Sequence, residues 1–166
     1  MRITDLLTED TIILDLKAQT KKEVIEELAN VLEKTGKLHD RETFIEAIFA
    51  REAQSTTGIG EGIAIPHAKT KAVRTPAVVF GRSKDGIDYD ALDGKQSHLF
   101  FMIAAPEGAN NTHLEALSRL STLLMDSSFR SKIENALTKQ QVIQAIQEGS
   151  VKKSMKSHHG LPFEGK

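Results

Sequence analysis

The sequence contains no cysteine, so disulfide bonds, thiolate metal sites and cysteine nucleophiles are excluded. It also has no apolar stretch of the length that a membrane-spanning helix requires. Carboxylates interrupt every apolar window of the N-terminal segment MRITDLLTEDTIILDL, so this segment is not expected to be a secretory signal peptide. These absences predict a cytoplasmic protein, which would serve any membrane process from the aqueous side.

An excess of charge of either sign is missing too. The 22 Lys and Arg residues nearly balance the 23 Asp and Glu residues, which leaves a net charge of −1. Nothing in this balance favours nucleic acid or a membrane surface as a partner. The length of 166 residues, with 39% hydrophobic and 27% charged residues, is typical of one globular domain with a sizeable core.

Apolar periodicity predicts strands and helices in alternation. The predicted strands cover residues 11–16, 76–83 and 97–106. The predicted helices begin at Thr20, at Asp40, at Asn110 or Asn111, at Ser127 or Ser128, and at Thr138. Gly36 is the predicted stop of the first helix and Gly149 of the last. The alternation predicts an α/β domain over residues 1–149, followed by a flexible tail or linker over residues 150–166.

Residues 56–70, TTGIGEGIAIPHAKT, form the most constrained stretch of the sequence. Glycines stand at three alternate positions, and Pro66 fixes the backbone immediately before His67. A histidine held in this way can act as a nucleophile, a base or a metal ligand near neutral pH. The spacing fits equally a surface-loop histidine after a strand, with glycines that only make turns. The residues alone leave both interpretations open.

Other site patterns fit the sequence poorly. The third glycine comes one place early for a dinucleotide fingerprint, and the segment leads into a proline rather than a helix. Neither the H-E-x-x-H pattern of zinc proteases nor the G-x-S-x-G elbow of serine hydrolases occurs. His39, His98 and the tail pair His158 and His159 stand in no metal-binding pattern, so no metal site is expected.

Two further side chains suit an anion. His113 lies in the first turn of its predicted helix, where backbone N–H groups and the helix dipole favour negative charge. The same position also suits an exposed histidine with no function. Arg51 lies near the end of the second predicted helix, where the dipole alone favours a cation. An arginine is also the side chain best suited to hold a phosphoryl group through a bidentate fork.

The segment GEGIAIPHA, residues 60–68, resembles the signature of the EIIA family of the bacterial phosphoenolpyruvate-dependent sugar phosphotransferase system. The resemblance is to its fructose–mannitol branch, and most of all to the fructose-specific type. The neighbouring segments AREAQSTTGIG and FFMIAAPEGANNTHLEALSRLSTLL match as well, so that the resemblance covers roughly residues 1–148. It implies a three-layer α/β/α domain, with a mixed sheet of about five strands flanked by helices on both faces.

The resemblance also implies a role for each candidate side chain. His67 would take a phosphoryl group on Nε2 from phosphohistidine on the carrier protein HPr and pass it to a cysteine of an EIIB domain. His113 and Arg51 would counter the charge of that group, so that no metal and no cofactor is needed. The backbone around Pro66 would supply a carbonyl that anchors the other ring nitrogen. Further loop positions expected to border the site are Thr57, Gly60 and Glu61.

The implied partners are HPr as donor, EIIB as acceptor and, indirectly, the membrane component EIIC, at the inner face of the membrane. Since the EIIB step uses a cysteine, this chain cannot itself contain a working EIIB domain. A second interpretation stays open: relatives in the nitrogen-related branch keep the histidine but signal by binding partner proteins. The segment PEGANNTHLEALSRLS and the linker-like tail favour the sugar-transport interpretation over the signalling one.

Overall fold

The computed structural model describes residues 2–108 and 111–159. Its α-helices are Ile3–Leu6 (α1), Lys21–Lys34 (α2), Arg41–Gln54 (α3), Thr112–Leu124 (α4), Ser127–Asn135 (α5) and Lys139–His159 (α6). Its strands are Ile12–Ile13 (β1), Gly58–Gly60 (β2), Ile63–Ala64 (β3), His67–Lys69 (β4), Ala77–Ile87 (β5) and Ser97–Ala105 (β6). A 3-10 turn over Glu9–Thr11 precedes β1.

The strands form one mixed, six-stranded sheet in the order β1-β5-β6-β3-β2, with β4 also paired to β6. The long strands β5 and β6 run antiparallel through its centre, and β1 runs parallel to β5. Both β3 and β4 run parallel to β6, and β2 returns antiparallel to β3. Between β3 and β4, the carbonyl of Pro66 accepts the N–H of Ile103 at 2.9 Å. The chain therefore follows β6 from β3 to the end of β4.

Helices cover both faces of this sheet. On one face, α1, α4, α5 and α6 pack against a hydrophobic cluster that includes Ile65, Phe101 and Leu120. On the other face, α2 and α3 pack against a second cluster that includes Leu28 and Phe100. The predicted three-layer α/β/α architecture is thus confirmed, with six strands where about five were expected.

Two predicted helix starts have the expected chemistry. The hydroxyl of Thr20 accepts the N–H of Glu23 at 3.1 Å at the start of α2. The carboxylate of Asp40 accepts the N–H groups of Glu42 and Thr43 at the start of α3. Each cap satisfies backbone donors that the first helical turn leaves unpaired.

The predicted cap of α5 at Ser127 or Ser128 is wrong. Asp126 caps this helix instead, because its carboxylate lies one residue earlier and accepts the N–H of Ser128 at 2.9 Å. At the start of α4, Asn111 is in the capping position, but its side chain makes no capping bond. Asn110, the alternative, lies outside the described residues.

Gly149 does not end the last helix, which continues to His159. A Cβ atom at Gly149 would lie only 2.8 Å from Cδ2 of Leu123 in α4. The absence of a side chain at Gly149 thus lets α6 approach α4 closely. Tertiary packing therefore explains this glycine, although the local sequence around it is typical of a helix end. Residues 150–159 continue the helical backbone, whereas residues 160–166 lie outside the described part. The division into a domain over 1–149 and a tail over 150–166 stays a prediction.

Two strands differ in length from their predictions. β1 is confined to Ile12–Ile13, since the residues before it form the 3-10 turn. β5 continues past residue 83 to Ile87, through a segment with turn-like composition. Its register against β6 is irregular between Arg82 and Ile87, where Gly86 has a φ of +90°. The irregular register lets β5 stay paired with β6 on both sides of Gly86, although a glycine in this context is typical of a turn.

Candidate functional site

His67 opens β4, opposite Ile103 of β6. Along an extended chain, alternate side chains point to the same face of a sheet. Ile63 and Ile65 belong to the cluster under α4, whereas Ala68 belongs to the cluster under α2 and α3. The half-buried ring of His67 therefore lies on the face covered by α4.

The ring of His67 is held by one backbone atom. Its Nδ1 lies 2.8 Å from the carbonyl oxygen of Ile65. Because a carbonyl oxygen only accepts hydrogen bonds, Nδ1 carries the proton, and Nε2 of the neutral ring keeps its lone pair. Pro66, between the two residues, restricts the geometry of Ile65 to extended backbone. The result is an imidazole with a defined tautomer and position.

His113 lies on α4, on the same side of the sheet as His67. Its Nδ1 is buried and has no hydrogen-bond partner within the described residues. Burial lowers the pKa of His113, and electrostatic interactions with Lys69 and His67 lower it further. The electrostatic effect of His67 on His113 indicates that the two imidazoles lie near each other, and their shared role in a site stays a prediction.

Lys69 is a basic residue near His113 that the sequence analysis did not single out. It lies in β4 two residues after His67, and strand alternation places both side chains on the same face. Its charge acts on His113, so that three basic side chains share this part of the surface. The segment H-A-K could have revealed it, had residues 67–69 been recognised as a strand.

The glycine loop before the histidine is in left-handed backbone geometry. Gly60, Glu61 and Gly62 have φ values of +99°, +57° and +75°. The backbone N–H of Glu61 donates to Oδ2 of Asp93 at 3.0 Å, while the Glu61 side chain is exposed. Hydrogen bonds from the N–H groups of Lys95 and Glu61 lower the pKa of the Asp93 carboxyl. Asp93, which the sequence analysis also missed, therefore fixes the tip of this loop.

Arg51 lies in the last turn of α3, the helix that covers the opposite face of the sheet from α4. Its Nη1 donates to the carbonyl oxygen of Ser55 at 2.9 Å. Within the described residues, its hydrogen bonds go to Ser55 and not to either histidine. The part of Arg51 in the site thus stays a prediction.

Thr57 is buried and bonded to a carboxylate that the sequence analysis did not single out. Glu52 accepts the backbone N–H of Thr57 at 3.1 Å and also its hydroxyl. The hydroxyl of Tyr89 donates to the same carboxylate at 3.0 Å, and Lys21 forms an ion pair with it at 3.0 Å. Burial, together with the nearby Glu52 charge, raises the pKa of Tyr89. This network joins the end of α3 to the start of β2.

Two features of the described residues bear on other kinds of site. Within residues 2–108 and 111–159, no three histidine, aspartate or glutamate side chains are grouped so that they could hold a metal ion. No helix of the same residues is both long and apolar enough to cross a bilayer. Beside the glycine loop, a cavity of about 400 Å³ is lined by Ile59, Glu61, Met125 and other residues.

A family model described as "Phosphoenolpyruvate-dependent sugar phosphotransferase system, EIIA 2" matches residues 5–149. The chain belongs to this family. The match includes the glycine loop, β4 and α4, and so covers both His67 and His113.

Among curated relatives, the EIIA chain is 60% identical over 146 residues to the fructose-specific EIIABC component of Bacillus subtilis. That match covers 88% of this chain but only 23% of the Bacillus protein. This chain is also 42% identical over 151 residues to the fructose-specific EIIA component of Haloferax volcanii. That match covers 89% of this chain and 98% of the Haloferax protein. The fructose-type relationship expected from the sequence is confirmed.

Solved structures of related proteins have the same fold. The nitrogen regulatory protein IIA-Ntr of Neisseria meningitidis matches with a TM-score of 0.80 and 33% identity, over 87% of this chain and 98% of that one. A complex of enzyme IIA-mannitol with phosphorylated enzyme IIB-mannitol of Escherichia coli matches with a TM-score of 0.74 and 26% identity, over 86% of this chain and 99% of that one. The EIIA fold is thus shared by sugar-type and nitrogen-type proteins.

Proposed function

We propose that this EIIA chain is the phosphocarrier of a fructose-type sugar phosphotransferase system. His67 accepts a phosphoryl group on Nε2 from phosphohistidine on HPr and passes it to a cysteine of an EIIB domain. The observation that carries the proposal is the bond from Nδ1 of His67 to the carbonyl of Ile65. That bond leaves one unprotonated ring nitrogen as the nucleophile.

Each transfer exchanges one phosphorus bond for another. The lone pair of Nε2 attacks phosphorus in line with the bond to the HPr histidine, and that bond breaks with its electrons returning to the leaving imidazole. In the second step a thiolate of EIIB attacks, and the bond between Nε2 and phosphorus breaks. Nδ1 of His67 keeps its proton throughout, so that the ring is ready for another cycle. Positioning and charge stabilisation therefore carry most of the catalysis.

Basic side chains around His67 stabilise the negative charge of the phosphoryl group. Lys69 lies on the same face of β4 as His67. His113, on α4, interacts electrostatically with both. A phosphoryl group on His67 raises the pKa of His113, because an opposite charge nearby favours the imidazolium. Arg51 is proposed to join them, and its guanidinium would then reach around the end of α3. No metal ion and no cofactor takes part in this scheme.

The proposed partners follow from the same chemistry. HPr is the donor, EIIB the acceptor and the membrane component EIIC an indirect partner, at the inner face of the membrane. The E. coli complex of a related IIA with a phosphorylated IIB supports EIIB as acceptor. The identity of 60% to a fructose-specific relative supports fructose as the sugar.

A second candidate function is regulation by partner binding. It is favoured by the likeness to the nitrogen regulatory protein of Neisseria, at 33% identity. Both candidates share phosphorylation of His67, so the step that separates them is transfer from the phosphorylated chain to the cysteine of a fructose-type EIIB. Rapid transfer supports the transport function, and a stable phosphohistidine in the presence of EIIB contradicts it.

The first test is phosphorylation with phosphoenolpyruvate, enzyme I and HPr, followed by intact mass measurement and mapping of the acid-labile site. We expect one phosphoryl group on His67 and none in His67→Ala. His39→Ala is the matched control, since His39 is exposed and lies before α3. A His67→Ala variant that still accepts one group would contradict the assignment.

A further inference from the structure

A buried carboxylate lies behind the loop that leads to His67. The side chain of Glu52 is only 4% exposed, although it belongs to the last turn of α3. A negative charge at a helix C-terminus opposes the helix dipole, and burying it adds a desolvation cost. A carboxylate in this position therefore lowers stability unless its hydrogen bonds compensate for both effects.

The compensating bonds go to Thr57 and Tyr89. Oε1 of Glu52 accepts the N–H of Thr57 at 3.1 Å, and Oε2 accepts the hydroxyl of Thr57 and that of Tyr89, the latter at 3.0 Å. Lys21 completes the set, with an ion pair to Oε1 at 3.0 Å and its ammonium 4.6 Å from the centre of the Tyr89 ring. All four oxygen contacts converge on one carboxylate, so Thr57 has little freedom to move.

Two hydrogen bonds continue from Thr57 to the site, one between backbone groups and one from a side chain to the backbone. The carbonyl of Thr57 accepts the N–H of Ile65 at 2.9 Å. The carbonyl of Ile65 in turn faces Nδ1 of His67 at 2.8 Å. Thr57 and Ile65 are thus each bonded through both N–H and C=O, which defines the orientation of their peptide groups. The series of bonds begins at Glu52 and ends at the proton of His67.

We infer that Glu52 is a positioning residue for His67. Through Thr57 and Ile65 it orients the carbonyl that keeps the proton on Nδ1, and so keeps Nε2 unprotonated for attack. The consequence for phosphoryl transfer rests on the proposed function, whereas the consequence for the tautomer does not. Glu52 itself touches no reacting atom.

Substitutions on either side of the contact between Glu52 and Thr57 can break the series. Glu52→Gln replaces one acceptor oxygen with an amide that donates, and this opposes the donors of Thr57. Thr57→Val keeps the shape and the backbone N–H but removes the hydroxyl, and Thr57→Ser restores the hydroxyl. Ile25→Val is the matched control, because Ile25 is buried in α2 within the same helical layer as α3.

The measurement is the tautomer of His67, from the ring nitrogen signals in ¹⁵N NMR of the unphosphorylated protein, together with the rate of phosphoryl acceptance from HPr. In wild type we expect the proton on Nδ1. In Glu52→Gln and Thr57→Val we expect a larger share with the proton on Nε2 and a rate at least about tenfold lower. Thr57→Ser and Ile25→Val are expected to resemble wild type in both measurements.

An unchanged tautomer in Glu52→Gln and Thr57→Val would overturn the inference, even if both variants are slower. So would an equal change in Ile25→Val, since that would indicate a general loss of stability. If Glu52→Gln does not fold, the pair Thr57→Val and Thr57→Ser decides. Wild-type protein that takes no phosphoryl group from HPr would overturn the proposed function instead, and the tautomer comparison would still decide the role of Glu52.

Discussion

The imidazole of His67 donates its Nδ1 proton to the carbonyl oxygen of Ile65, two residues earlier, across 2.8 Å. Only one residue, Pro66, separates donor and acceptor, and Pro66 restricts Ile65 to extended backbone. The same contact determines which ring nitrogen can react. It therefore links a feature of the local sequence directly to the chemistry of the site.

The phosphoryl group is expected on Nε2 of His67 and not on Nδ1. The reason is that Nδ1 is protonated and faces Ile65, whereas Nε2 keeps its lone pair. Phosphorus and nitrogen NMR of the ¹⁵N-labelled phosphoprotein distinguishes the two isomers. A phosphoryl group found on Nδ1 would mean that the ring turns before it reacts.

Replacement of His113 by alanine is expected to slow phosphoryl acceptance by about 10²- to 10³-fold, as when one stabilising donor is lost from a charged transition state. Some acceptor activity should remain, because the nucleophile is intact. Single-turnover kinetics with phosphorylated HPr measure the effect, with His39→Ala as the control. Equal rates of phosphoryl acceptance for His113→Ala and His39→Ala would show that His113 takes no part in the transfer.

The stability of the protein is expected to fall on acidification, and His113 should contribute to this fall. Its pKa is lowered in the folded chain, so the unfolded chain binds a proton more readily between the folded pKa and about 6.5. The free energy of unfolding therefore decreases as the pH drops through that window. Urea denaturation from about pH 7.5 to about pH 5.5 should show a smaller decrease for His113→Gln than for wild type or His39→Gln.

Replacement of Arg51 by alanine is expected to slow phosphoryl acceptance, and Arg51→Lys should recover only part of the rate. A lysine keeps the charge but loses the planar fork that suits a phosphoryl group. The control is Arg74→Ala, because the side chain of Arg74 is exposed. If Arg51→Ala accepts the phosphoryl group as fast as Arg74→Ala, Arg51 has no part in the transfer. Its contact with Ser55 would then be structural.

Replacement of Gly149 by alanine is expected to lower the free energy of unfolding by about 1 kcal/mol. The new Cβ would crowd Leu123, at a cost that exceeds the gain in helix propensity. The double variant Leu123→Ala with Gly149→Ala should be more stable than the sum of the single effects implies, because the smaller side chain leaves room. Strictly additive effects, measured by urea denaturation, would contradict the close packing.

Local sequence patterns predicted the features that depend on neighbouring residues. The caps at Thr20 and Asp40 are of this kind, since each joins residues at most three apart. The three-layer architecture followed from the resemblance, and the alternation of strands and helices agreed with it. The pairing of His67 with His113 also came from the resemblance, because no local pattern relates positions so far apart.

The features that were missed depend on contacts between distant parts of the chain. Asp93 meets Glu61 from 32 positions away, and Tyr89 meets Glu52 from 37 positions away. Neither pair leaves a periodic signal in the sequence. Gly149 shows the opposite error, in which a correct local rule was overridden by the packing of two helices.

β4 is hydrogen-bonded to β6, a strand that comes later in the chain, and α4 comes later still. A protein is made from its N-terminus, so His67 emerges from the ribosome before the strand that aligns it and the helix that faces it. An incomplete chain therefore carries His67 without the strand and the helix beside it. On the proposed function, phosphoryl transfer through His67 begins only when nearly the whole domain has been synthesised and folded.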